Sequence, residues 1–248
     1  MNLTWKHHKA EEEVASLLQR AAHVDPDLIQ AFPRSVEDLL CAVLPVSFES
    51  HSALDARTIV DVLGDVYGVD HRELLADGNP AFAGYTFARG ERAVVFSDPR
   101  HGEGFERFTR AHEAGHLVVE YLPILARAGQ TSLFGGEAAP ATYARRDPVG
   151  HLFLGDGPAA SGAVNRDDYL RLRADQSAWL REVVANGFAA ELLAPYRGVC
   201  ELLVALPPDA DSAEALRTRF GLSYRAAEVR LADLGVTGRS SVTFFLFD

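Results

Sequence analysis

The chain has 248 residues, enough for one large domain or two small ones. Its 24 basic and 35 acidic residues leave a formal charge of −11, which argues against a protein that coats nucleic acid. Two cysteines, Cys41 and Cys200, exclude a disulfide framework and a cysteine-based zinc ribbon, and no apolar run approaches the roughly 18 residues of a membrane span.

The first 45 residues read as helices. Val14, Leu17, Leu18 and Ala21 recur at helical spacing, and Asp25-Pro26 and Ser35 start two more. The amino terminus holds no apolar segment that could serve as a signal peptide, so a cytoplasmic protein is expected. Val46-Ser47-Phe48 alternates as a short strand, and residues 54–66 read as an amphipathic helix. Gly84 to Ala88 and Ala93 to Phe96 flank a short turn that contains Gly90, which predicts a β-hairpin. A helix is expected from about 104 to 121, stopped by Pro123.

Residues 126–166 are rich in Gly and Pro, yet they carry Leu133, Phe134, Leu152, Phe153 and Leu154. A loop of this length is either a disordered surface excursion or functional, and its apolar residues favour the second, lying across or beside the cleft between the helices it joins. A second long helix covers roughly 167–194 and ends at Pro195. Helices near 212–220 and 223–234 follow, joined by Gly221-Leu222, and Val242 to Phe247 predicts a strand. The expected organisation is a helical extension at 1–45 and an α+β domain at 46–248, with its insertion at 126–166 and a helix pair at 212–235.

The chemistry lies in His112-Glu113-Ala114-Gly115-His116. Histidines four apart on a helix share one side, so both imidazoles can bind one divalent ion. Glu113 lies about 100° round the helix, where its carboxylate can reach a water on the ion rather than the ion itself. A hydrolytic zinc site needs a third protein ligand. The metzincin pattern is excluded, since Val119 and Leu122 stand where Gly and His are required. Glu120 lies on the same rigid helix and suits an outer position better. Glu137 falls in the insertion. Glu182 has Ala178, Ala185 and Ala189 on its helix face, and Ala111, Ala114 and Gly115 make the first helix equally slim, so the two helices can approach closely. Glu191 points about 180° away from Glu182. Glu182 is therefore the favoured third ligand.

Arg107 to His116, RFTRAHEAGH, resembles the RFTxAHExGH block of the ImmA/IrrE family of metallopeptidases. Glu182 to Pro195, EVVANGFAAELLAP, is similar to that family's ExxANxFAAxLLMP block. The stretch Phe220-Gly221-Leu222-Ser223-Tyr224-Arg225-Ala226-Ala227 looks like its closing helices. The likeness covers about residues 84–122 and 176–236. Ala194 stands where the family usually has Met, and the separation of 66 positions from His116 to Glu182 exceeds the usual spacing.

The resemblance implies a zincin-like, gluzincin-type fold: a small sheet, the HExxH helix and a second ligand-bearing helix. It implies His112, His116 and Glu182 as metal ligands, Glu113 as catalytic base, and zinc as the ion, with manganese the alternative. Asn186 and Thr109 are expected to orient the imidazoles, and His151 or Tyr143 to supply an oxyanion donor. The implied activity is cleavage of a cytoplasmic helix-turn-helix repressor in a stress or phage-related response. The competing reading is a non-hydrolytic regulator or toxin–antitoxin component with a DNA-binding tail. Residues 213–239 hold five arginines against three acids, too weak a footprint to expect direct nucleic-acid binding.

Overall fold

Residues 4–76, 78–126, 142–146 and 176–235 are described by the structure, a computed structural model. The first helix, α1 (Thr4–Val24), buries Ala10, Val14, Leu17 and Ala21, a narrow stripe at intervals of three and four. A single turn, α2 (Asp27–Gln30), leads to α3 (Val36–Val43), where Ser35 accepts from the Asp38 backbone N–H as N-cap. Strand β1 (Val46–Ser50) follows. Helix α4 (Ala56–Asp65) starts at Asp55, whose carboxylate accepts from Thr58 N–H at 2.8 Å.

The hairpin forms as β2 (Gly84–Arg89) and β3 (Arg92–Ser97), reversing at Gly90 with φ +60°. β1 pairs with β3 in parallel, so the order is β1-β3-β2-β4. The fourth strand, β4 (Thr142–Arg146), lies antiparallel to β2, with Ala88 opposite Tyr143 and Thr86 opposite Arg145. Part of the segment expected to be loop is thus strand, and its Thr-Tyr-Ala-Arg-Arg sequence offers no apolar alternation that would reveal it. The remaining insertion residues, and the strand expected at 242–247, lie outside the described residues.

Alternation along the hairpin divides its side chains between two layers. Tyr85, Phe87, Val94 and Phe96 face Ile59 and Leu63 of α4. Ala88, Ala93 and Val95 face the opposite way, toward α5 (Glu103–His116) and its neighbours. Thr86 and Gly84 share that second face by the same two-residue period. Because both faces are covered, the hairpin strands are apolar between their end residues, with Thr86 a buried exception.

Four more helices follow among the described residues: α6 (Gln176–Leu193), α7 (Tyr196–Ala205), α8 (Ser212–Phe220) and α9 (Tyr224–Asp233). Gly221 ends α8 in the left-handed region, φ +65°, as a helix C-cap requires. Arg107 of α5 donates to the Phe220 and Gly221 carbonyls, so the closing pair buttresses the motif helix. One apolar core joins residues of α1, α3, α5, α6, α8 and α9, and it shows no break near residue 45. The architecture is α+β, mainly helical with a small sheet.

Candidate metal centre

Helix α5 carries both histidines inward. Its buried side chains run from Phe105 to His116, and His112, Glu113 and His116 are each at most 1% exposed. The helix continues past His116 to residue 126, and residues 117–121 adopt the wider π-helical turn. Helix α6 packs across α5 through small residues. A Cβ on Gly115 would lie 3.2 Å from both Cα and O of Ala185 and 3.2 Å from Phe188 Cβ. That close approach delivers Glu182, 3% exposed, to the two imidazoles.

Three ligand atoms converge. His112 Nε2 and His116 Nε2 are 2.8 Å apart, and Glu182 Oε2 is 3.3 Å from the first and 3.4 Å from the second. Bonds of about 2.0–2.1 Å to one tetrahedral ion place neighbouring ligands about 3.3 Å apart. The two edges to Glu182 match that spacing, and the edge between the imidazoles is about 0.5 Å shorter. Neutral imidazole nitrogens and a carboxylate are also the donor set that zinc accepts. His112, His116 and Glu182 therefore form a buried group that could hold a metal ion.

Outer contacts fix the rings. His112 Nδ1 donates to Asn186 Oδ1 at 2.8 Å, and His116 Nδ1 lies 2.6 Å from Glu120 Oε1. With Nδ1 protonated, each Nε2 presents its lone pair to the centre. Arg181, half-exposed, sits 3.4 Å from the other Glu120 oxygen. Thr109 does not join this arrangement: its buried Oγ1 has no hydrogen-bond partner among the described residues. Glu191 is committed elsewhere, bridging buried Arg230 and the Tyr196 backbone N–H. Glu137 and His151 lie outside the described residues, and Tyr143 takes its place in β4.

Glu113 packs against β2. Thr86 Oγ1 donates to its Oε2 at 2.6 Å. This contact was not anticipated, though a lone Thr between Tyr85 and Phe87 in a buried strand is a visible signal.

Burial would lower the His116 pKa, but Glu120 and Glu182 oppose it and raise the group to about 9 from 6.5. The Glu182 carboxylate resists burial in turn and is held well below the usual range by the same two histidines. A metal requires the imidazole neutral, so ion and proton compete for Nε2. Apparent Zn2+ affinity is expected to climb by up to about tenfold per pH unit from pH 7, levelling off above about pH 9. A chelator-competition titration checks this; a flat profile would contradict it. In the metal-free protein the raised pKa gives stability that is full below about pH 6.5 and lost as pH rises through about 9.

The α5–α6 contact supplies a second expectation. Gly115→Ala should cost about 1–3 kcal/mol by overpacking and should weaken metal binding, because α6 must recede and take Glu182 with it. Thermal unfolding and metal affinity measured together check this; wild-type values in both would show the contact to be slack.

The α8–α9 pair has the outline of a helix-turn-helix. Its Arg217 pairs with Glu214 and Arg225 with Glu228, while Arg230 is buried against Glu191 of α6. Among the described residues, no helix is long and apolar enough to cross a membrane. No family model matches the chain, and no curated protein is significantly similar to it.

Proposed function

We propose that this protein is a metal-dependent endopeptidase of zincin-like architecture, with zinc as its ion and manganese the alternative. The observation that carries the reading is the convergence of His112, His116 and Glu182 on one buried point, with the buried Glu113 carboxylate on the residue next to His112. The likeness of residues 107–116 and 182–195 to the ImmA/IrrE blocks supports it. That likeness also suggests the substrate, a helix-turn-helix repressor cut at one site.

A bound divalent ion would supply a Lewis acid and lower the pKa of water toward about 7. The chain's own groups do the rest. His112, His116 and Glu182 bind, while Asn186 and Glu120 orient the two rings. Glu113 accepts the proton of the attacking water on its carboxylate and passes it to the leaving amide nitrogen. Burial of Glu113 keeps bulk water from that transfer.

The test begins with metal analysis of the purified chain. The zinc-loaded protein is then incubated with a repressor encoded beside it, using Glu113→Gln as control. Cleavage at a single bond by the wild type alone supports the reading. Binding of the repressor with no cleavage, at one metal per chain, would favour a non-hydrolytic regulator.

A further inference from the structure

The Glu113 carboxylate lies against two residues of β2 that none of the ligand geometry requires. Thr86 Oγ1 donates to Oε2 at 2.6 Å, within the range of a charge-assisted O–H···O⁻ bond, and Thr86 is fully buried. The same hydroxyl lies 3.3 Å from the Glu113 carbonyl oxygen. One hydroxyl has one proton, and the shorter contact takes it.

Gly84 stands two residues earlier, on the same face. Its φ is not in the left-handed region, so the backbone does not demand glycine there. Space does. A Cβ at 84 would sit 2.5 Å from Thr109 Cγ2, 2.9 Å from Glu113 Oε1 and 3.0 Å from Glu113 Cγ. No side chain fits between the strand and this carboxylate.

β2 is also held on both edges, by β3 on one side and β4 on the other. Thr86 is β-branched and has few rotamers. A donor on a doubly paired strand cannot drift, which is what a positioned proton acceptor needs.

We propose that Gly84 and Thr86 form the seat of the Glu113 carboxylate and act as positioning residues for its proton transfer, Thr86 by its hydrogen bond and Gly84 by its missing side chain. The proposal rests on the peptidase reading above for its consequence, but not for its geometry.

The test uses the zinc-loaded full chain with β-casein as probe, and three variants: Thr86→Val, Thr86→Ser and Gly84→Ala. The Glu113 carboxylate stretch is isolated as the infrared difference between each protein and its Glu113→Gln counterpart. Thr86→Val should shift that band and lower kcat about 10- to 100-fold, the worth of a hydrogen bond to a charged group. KM and zinc content should stay at wild-type values. Thr86→Ser should restore both the band and kcat, which a merely packed methyl would not explain. Gly84→Ala should shift the band with Thr86 intact. An unmoved band in Thr86→Val, or no recovery in Thr86→Ser, overturns the seat. If the wild type leaves casein intact, as a single-site peptidase can, the infrared band alone decides the seat.

Discussion

Glu182→Ala is expected to abolish stoichiometric metal binding. Its carboxylate is the only one of the three converging ligands that comes from α6, and it closes the triangle at 3.3 and 3.4 Å. Structural zinc sites are worth on the order of 10 kcal/mol, so one ligand in three carries about 3 kcal/mol, above 100-fold in affinity. His112→Ala and His116→Ala should do the same. Two controls sharpen the result. Glu120→Ala removes only the partner of His116 Nδ1 and should cost about 10- to 100-fold. Glu191→Ala should leave zinc bound yet destabilise the fold by about 3 kcal/mol, because Arg230 would remain buried without its carboxylate. Zinc stoichiometry and unfolding midpoints separate these outcomes. Full affinity in Glu182→Ala with loss in Glu191→Ala would move the third ligand.

Glu113→Gln should keep fold and metal while losing proteolysis by about 10²- to 10⁴-fold, the usual span for a general base. The amide oxygen can still accept from Thr86, so the buried contact survives. What the amide cannot do is take a proton from water. Equal turnover by wild type and variant, at equal zinc content, would remove Glu113 from the mechanism.

Local signals made much of the molecule legible. Ser35 and Asp55 cap helices through side-chain bonds that need only nearby backbone, and Gly90 turns a two-strand run whose register follows from its length. The HExxH spacing places two imidazoles on one face of any helix that contains it. The small residues around Glu182 pointed to a close helix crossing, because interhelical distance follows side-chain size.

Other features had no local trace. β4 is polar and short, and its place beside β2 depends on the sheet edge it meets rather than on its own pattern. Thr109 lies on the motif helix three residues before His112, yet its methyl meets Gly84 and its hydroxyl bonds neither imidazole. The residues that hold Glu113 lie 27 and 29 positions upstream, on a strand whose face is settled only once α4 covers the other side. By itself the sequence determined the two histidines, their shared face and the helices that carry the ligands, since these follow from backbone periodicity. Which carboxylate meets the two imidazoles, and what lies against Glu113, were decided by the packing of α6 and β2 on α5. Side chains distant in the chain meet there because burying their neighbours' apolar surface leaves them no other place.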